Sequence, residues 1–339
     1  TLETLDYVDS RERRQAGDAV AEADRKLSDW ARVLFDVDTR TGQGRLLAAG
    51  SDLTGEWVVD AAGEPLARGD WNGEEKRYTV LAFRDRTWRV VHEQTGQGEL
   101  SLAGALADGT ALVAFGRRGA DRSKAWRIPL DGGPVTLLLE DAQGDVEHAV
   151  YDPATGAVVG IWSAGMQPKA HWLDPDWARR MRTLAQAFPG RDVAIVDRSA
   201  DGQRAVLRIE SPSSPTVWQL LDLDRSRADI VGETYPALAH ARLGDPRAIE
   251  YPARDGTRIP AYLTLPPGPE QKNLPLVVMP HGGPHLRDER GFDFLVQFLA
   301  TRGYAVLQPQ FRGSTGFGAG FARAGYRQWG ATMQDDVTD

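Results

Sequence analysis

Residues 275–284 read PLVVMPHGGP, an apolar run that stops on His281, Gly282, Gly283 and Pro284. An apolar stretch of that length predicts a strand covered on both faces, as in parallel sheets flanked by helices. Two glycines at its carboxyl end let the backbone adopt dihedral angles closed to other residues and come close to a reacting carbonyl. The proline after them fixes the exit direction. A rigid Gly-Gly loop in this place serves to donate a main-chain N–H to an oxyanion that develops during acyl transfer. One such donor is worth about 2.7–4 kcal/mol of transition-state stabilisation.

The elements that must hold this loop are legible on either side. Asp255-Gly256 sits between two strand-like runs and predicts a hairpin. A proline-rich loop, PPGPEQKN, leads from it to the apolar run. Downstream, FDFLVQFLATRG predicts an amphipathic helix with Phe294, Leu295, Phe298 and Leu299 clustered and Gly303 at its C-terminal end. The next strand is YAVL, residues 304–307. Strand, loop, helix and strand make a βαβ unit, and ligands bind at the carboxyl ends of such strands.

Before residue 246 the grammar is different. An Asp followed by a turn glycine and a short apolar strand recurs at Asp60…Gly63, Asp108-Gly109, Asp152…Gly156 and Asp201-Gly202, with the glycines 46, 47 and 46 residues apart. Each period has room for three or four short strands, the size of a β-propeller blade. About five such periods fit in residues 1–245. An irregular β-sandwich with turn glycines in chance register is the competing architecture. Residues 173–188 break the pattern with a helix carrying Trp177, Met181, Leu184 and Phe188 on one side. The expected fold is an incomplete β-propeller over residues 1–245, followed by the first part of an α/β domain over residues 246–339.

LPLVVMPHGGP, FLATRGYAVLQPQFRGSTGFG and WGATMQDDVTD, in that order and spacing, resemble the start of the catalytic domain of the prolyl oligopeptidase family of serine peptidases. The likeness is to its acylaminoacyl-peptidase and dipeptidyl-aminopeptidase branch. The resemblance implies that the Gly283 amide is one half of the oxyanion hole. It places His281 where other branches carry an assisting tyrosine, and Arg312 as a brace for the loop. Gln310 stands where the family usually has asparagine. The resemblance also implies an α/β-hydrolase domain beginning at residue 246 and a propeller that filters access to its active site.

The nucleophile of such a hydrolase sits in G-x-S-x-G. None of the twelve serines has glycine at both flanking second positions. The chain is therefore expected to be a segment of a longer protein, with serine, acid and histidine beyond Asp339, and inactive by itself. The expected parent is a serine peptidase acting on short peptides through an acyl-enzyme, without cofactor. Alternatives are a lasso-peptide isopeptidase of the same family, an esterase, or a non-catalytic propeller binding module.

Other patterns carry less chemistry. His281 and His285, followed by Asp288, mimic a metal-ligand spacing, but Gly282, Gly283 and Pro284 prevent the helix that would align them, so no metal is expected. Glu74-Glu75 has the charge to bind a peptide amine, although an exposed hairpin tip accounts for the pair. GSTGFG, residues 313–318, lacks the lysine of a phosphate-binding loop and reads as a turn. A formal charge of -8 argues against nucleic acid, and no apolar run reaches the 18 or so residues that span a bilayer. Zero cysteines remove disulfides and thiolate chemistry and leave cytoplasm and periplasm equally open.

Overall fold

The computed structural model describes residues 2–7, 30–96, 100–269 and 272–339. Among these, five successive small sheets precede one mixed sheet. The first sheet joins β1 (Leu2–Tyr7), β2 (Trp30–Val37) and β3 (Gly44–Ala49). The second runs in chain order through β4 (Thr54–Val59), β5 (Pro65–Asn72), β6 (Arg77–Arg84) and β7 (Thr87–Thr95). The third likewise holds β8 (Ser101–Ala105), β9 (Ala111–Gly116), β10 (Lys124–Pro129) and β11 (Thr136–Leu139). The fourth comprises β12 (Val146–Tyr151), β13 (Val158–Ser163) and β14 (Lys169–Trp172). The fifth holds β15 (Asp192–Arg198), β16 (Arg204–Ser211), β17 (Ser214–Asp222) and β18 (Arg227–Glu233). These are the blades of a partial β-propeller.

The sequence repeat marks the first hairpin of each blade from the second onward. Gly63, Gly109, Gly156 and Gly202 all take positive φ, between 64° and 82°, where only glycine is unstrained. The preceding aspartate closes each turn: Oδ1 of Asp60, Asp108, Asp152 and Asp201 accepts a main-chain N–H two residues on. Neighbouring blades share apolar faces. Val58, Ala67 and Val80 of the second meet Leu112, Ala114 and Ile128 of the third in one buried cluster, and each Val, Leu or Ile so buried contributes about 1.5–3 kcal/mol. A polar clasp reinforces that junction: the Glu56 carboxylate accepts from the Tyr78 hydroxyl, the Ser101 hydroxyl and the Leu102 N–H.

Helix α1 (Pro175–Ala187) follows β14, started by the Asp174 side chain, which accepts from the N–H groups of Asp176 and Trp177. Trp177 and Met181 face inward, as their helical spacing predicts.

The mixed sheet has the order β19 (Pro246–Pro252), β20 (Arg258–Thr264), β22 (Ala305–Pro309), β21 (Leu276–Val278). β19 and β20 form the hairpin expected around Asp255-Gly256. β21 and β22 pair in parallel across helix α2 (Phe294–Ala300), the βαβ unit read from the sequence. Two expectations change here. β21 is a sheet edge, with Leu276 55% and Val278 37% exposed, because no further strand pairs with it among the described residues. The face of α2 that packs inward carries Val296, Gln297 and Ala300, whereas Phe294, Leu295 and Phe298 are exposed. The apolar spacing reported a clustered face without revealing that the helix has a second apolar side.

Contacts divide the chain into two compact units, Thr1–Glu140 with Val146–Ile161 and Asp141–Asp145 with Trp162–Asp339. Within the second, Gln297 is almost fully buried and uses its whole carboxamide. It accepts the Gly244 N–H at 2.9 Å and donates to Gly244 O at 2.7 Å and Pro212 O at 3.0 Å. α2 is thereby tied to the loop between β16 and β17 and to the segment entering β19.

Candidate functional site

The loop after β21 has the conformation its glycines suggest. Gly283 has φ +122°, and a Cβ built there would lie 2.8 Å from the His285 nitrogen and 3.0 Å from that of Leu286. No side chain fits without moving the backbone. The loop is solvent-facing at Gly282 and Gly283, and neither N–H has an acceptor among the described residues. An exposed donor on a turn that only glycine can adopt, as at Gly283, is what an incoming oxyanion requires.

His281 is fixed from two sides. Its ring stacks on Phe311 at 4.4 Å between centroids, and Nε2 lies 2.8 Å from Ser314 Oγ, while Nδ1 lies 2.8 Å from Gly282 O. Gly282 O can only accept, so a proton on Nδ1 serves that contact, while the Ser314 hydroxyl has one proton to divide between Nε2 and the Phe311 carbonyl, which lies 2.7 Å from Oγ. Further along, His285 Nδ1 contacts Gly313 O at 3.0 Å, and the Thr315 N–H donates to Leu286 O at 2.9 Å. At the far end the Gln310 carboxamide accepts the Asp288 N–H and donates to Asp288 O.

Residues 310–315, just past β22, therefore lace the loop along its length. They are anchored in turn by Arg312, whose guanidinium and main-chain N–H donate to Asp336 and whose Nη1 donates to Asp255. Asp336 lies on helix α4 (Thr332–Thr338), which follows helix α3 (Ala319–Ala324). Asp336 is completely buried, so both partners of the ion pair are held in a dry setting. Asp288 is the contrasting carboxylate. Burial pushes its carboxyl above the usual range and Asp293 adds to the rise, against a nearby His281 and a hydrogen bond from Gln308. Its Oδ2 is buried without a hydrogen-bond partner.

His281 and His285 do not converge as metal ligands. Each has its own partners, His281 on Phe311 and His285 edge-on to Tyr326. Glu74 and Glu75 sit in the β5–β6 turn, where both main-chain N–H groups donate to Asn72 Oδ1 and Glu75 pairs with Arg77. GSTGFG is a turn with positive φ at Gly313, Gly316 and Gly318. Its last glycine donates to the buried Asp145 carboxylate at 3.2 Å.

A Ser/His/Asp grouping that sequence spacing did not announce lies at the end of β13. Ser163 Oγ is 2.8 Å from Asp141 Oδ2 and 3.0 Å from His171 Nε2. It does not have triad geometry. Asp141 approaches the same ring nitrogen as the serine, at 3.4 Å, and Lys169 neutralises it at 3.2 Å. In a triad the acid holds the opposite nitrogen, and the serine is open to substrate. Ser163 is only 1% exposed. The group is a structural network that cross-links the β13–β14 hairpin.

Also in the second unit is a pocket of about 560 Å³, lined by Trp162, Gln167, Lys169, Asp192, Ala248 and Arg290 among others. Arg290 belongs to the segment that leaves the glycine loop. The pocket offers an indole face and both signs of charge within reach of a peptide-sized ligand.

A propeller leading into a sheet whose glycine loop presents free main-chain donors is the architecture of propeller-bearing α/β-hydrolases. Known proteins agree with it. The sequence profile of the prolyl oligopeptidase family matches residues 290–339. Dipeptidyl aminopeptidase BIII of Pseudoxanthomonas mexicana is 30% identical over 326 residues, 90% of this chain and 46% of its own length. The solved puromycin-hydrolyzing peptidase of Mycobacterium tuberculosis superposes with a TM-score of 0.60 at 21% identity, covering 91% of this chain and 50% of that one. The acylaminoacyl peptidase of Pyrococcus horikoshii superposes with a TM-score of 0.57 at 16% identity, over 91% and 48%. The resemblance read from the sequence therefore stands, with residues 290–339 matching the prolyl oligopeptidase family. The chain spans about half the length of these relatives.

Proposed function

We propose that these residues are the propeller and oxyanion-loop portion of a serine peptidase that hydrolyses amide bonds of short peptides through an acyl-enzyme. The observation that carries this is the exposed, unpaired Gly283 N–H, held by a turn that admits only glycine at the carboxyl end of β21. Gly283 would donate to the oxyanion, and His281, locked between Phe311 and Ser314, would keep the loop in register. The nucleophile, acid and base would lie in the part of the protein that this chain does not include, in keeping with its relatives being about twice as long. The apolar side chains left open on β21 and α2 suit burial beneath that remaining part of the hydrolase domain.

The test is to express the complete reading frame and residues 1–339 in parallel. Turnover of dipeptidyl and N-acyl-aminoacyl anilides is measured against matched esters, together with labelling by a fluorophosphonate. The complete protein is expected to cleave anilides and take up the label, and residues 1–339 to do neither. Labelling of residues 1–339, or a complete protein that turns over only esters, would overturn this reading.

A further inference from the structure

We infer that Gln310 is a positioning residue for the oxyanion loop and that the length of its side chain sets where the loop stands; this rests on the function proposed above. Gln310 is completely buried. Its own N–H donates to Pro260 O at 2.8 Å, so its backbone is fixed to the strand β20 side of the sheet. From there the carboxamide reaches the loop segment and pairs with one residue in both senses. Oε1 accepts the Asp288 N–H at 3.1 Å, and Nε2 donates to Asp288 O at 2.7 Å.

The side chain thus imitates one rung of a β-ladder, to a loop that has no strand beside it. Asp288 is five residues beyond Gly283, and the intervening stretch is short of slack. His285 is held by Gly313 O, Leu286 by the Thr315 N–H, and Gly283 packs against the nitrogens of both. Displacement at Asp288 is therefore passed back to the Gly283 amide. An asparagine at 310 is shorter by one methylene, about 1.5 Å. Both contacts would then exceed hydrogen-bond range unless the loop moved inward by a similar amount. A shift of that order misplaces an oxyanion donor without touching the surfaces that bind the ground-state substrate.

The experiment uses the complete protein and an anilide substrate. Gln310→Asn is expected to lower kcat tenfold to a hundredfold while KM changes less than about threefold. Gln310→Glu supplies a readout that a packing role would not move. Ionised, its second oxygen faces the Asp288 carbonyl and repels it; protonated, it donates there and restores both bonds. The ratio of variant to wild-type kcat should therefore climb as pH falls. Asp288 and His281 also face this site and are present in both proteins, so the readout is a pH dependence that the wild type lacks. Gly283→Ala separates the two ideas. If it keeps wild-type kcat, the oxyanion reading fails. If it loses kcat while Gln310→Asn keeps it, only the positioning role fails. Should Gln310→Asn not fold, a Gln310→Glu ratio that stays flat across pH overturns the proposal.

Discussion

Arg312 and Asp336, 24 residues apart in sequence, are joined through two guanidinium nitrogens and the Arg312 main-chain N–H, all converging on one carboxylate with no access to water. Tyr251 adds a hydrogen bond to the carbonyl of the same aspartate, so β19, α4 and the segment after β22 meet at this point. Losing Arg312 leaves the buried Asp336 charge without a partner, and losing Asp336 leaves Arg312 with Asp255 alone. Asp336→Ala is expected to cost about 3–5 kcal/mol in urea unfolding. Arg312→Met, which removes the cation but keeps some packing, should be similarly poor because Asp336 then has no partner. The double replacement Arg312→Met with Asp336→Leu should recover much of the loss.

At the glycine loop the penalty is steric. Gly283→Ala places a methyl group inside contact distance of two main-chain nitrogens and forces an L-residue to φ +122°. In the complete protein kcat should fall by about 10²–10³, the cost of losing one oxyanion donor. Gly282→Ala is the control. Its Cβ meets nothing within 4 Å, and kcat should stay within a few-fold of wild type.

Asp141 gives a pH-dependent prediction. Burial raises its carboxyl, but the Gln143 N–H, the Ser163 hydroxyl and Lys169 outweigh that and hold it at about 2, against an ordinary 3.8. A depressed folded-state value means that the ionised form stabilises the fold. That contribution is complete above about pH 4 and is lost as pH falls through about 2. It amounts to on the order of 2 kcal/mol. Asp141→Asn should therefore lower stability by about that much at pH 7, and the difference from wild type should shrink between pH 4 and pH 2. A penalty that is constant with pH would assign the role to packing instead.

Between the second and third blades, Glu56 satisfies three donors at once, one of them the Tyr78 phenol, whose ionisation is pushed up by burial and by that carboxylate. Glu56→Ala strands the Leu102 N–H and the Tyr78 hydroxyl, and should cost about 1–3 kcal/mol. Tyr78→Phe, which removes one donor cleanly, should cost less.

The blade repeat was legible because its signal is local. An aspartate, a glycine at positive φ and a short apolar strand lie within ten residues of each other, and turn chemistry dictates all three. The βαβ unit and the glycine loop were legible for the same reason. What escaped were relationships set by the sheet rather than by the chain. Ser314 meets His281 across 33 residues and Gln310 meets Asp288 across 22, and no spacing rule connects such pairs. The Asp141, Ser163 and His171 network formed only because β13 and β14 bring two of its members together. The inward face of α2 was misjudged because Val296 and Ala300 are small, while the larger Phe294 and Leu295 dominate any count of apolar residues.

The carboxamide of Gln297 has one further implication. Its three hydrogen bonds join α2 to Gly244 and to Pro212, so parting the fifth blade from the βαβ unit would leave the Pro212 carbonyl without its donor in a dry seam. Those two pieces behave as a single lever. Any opening motion within this unit must pivot somewhere other than that seam.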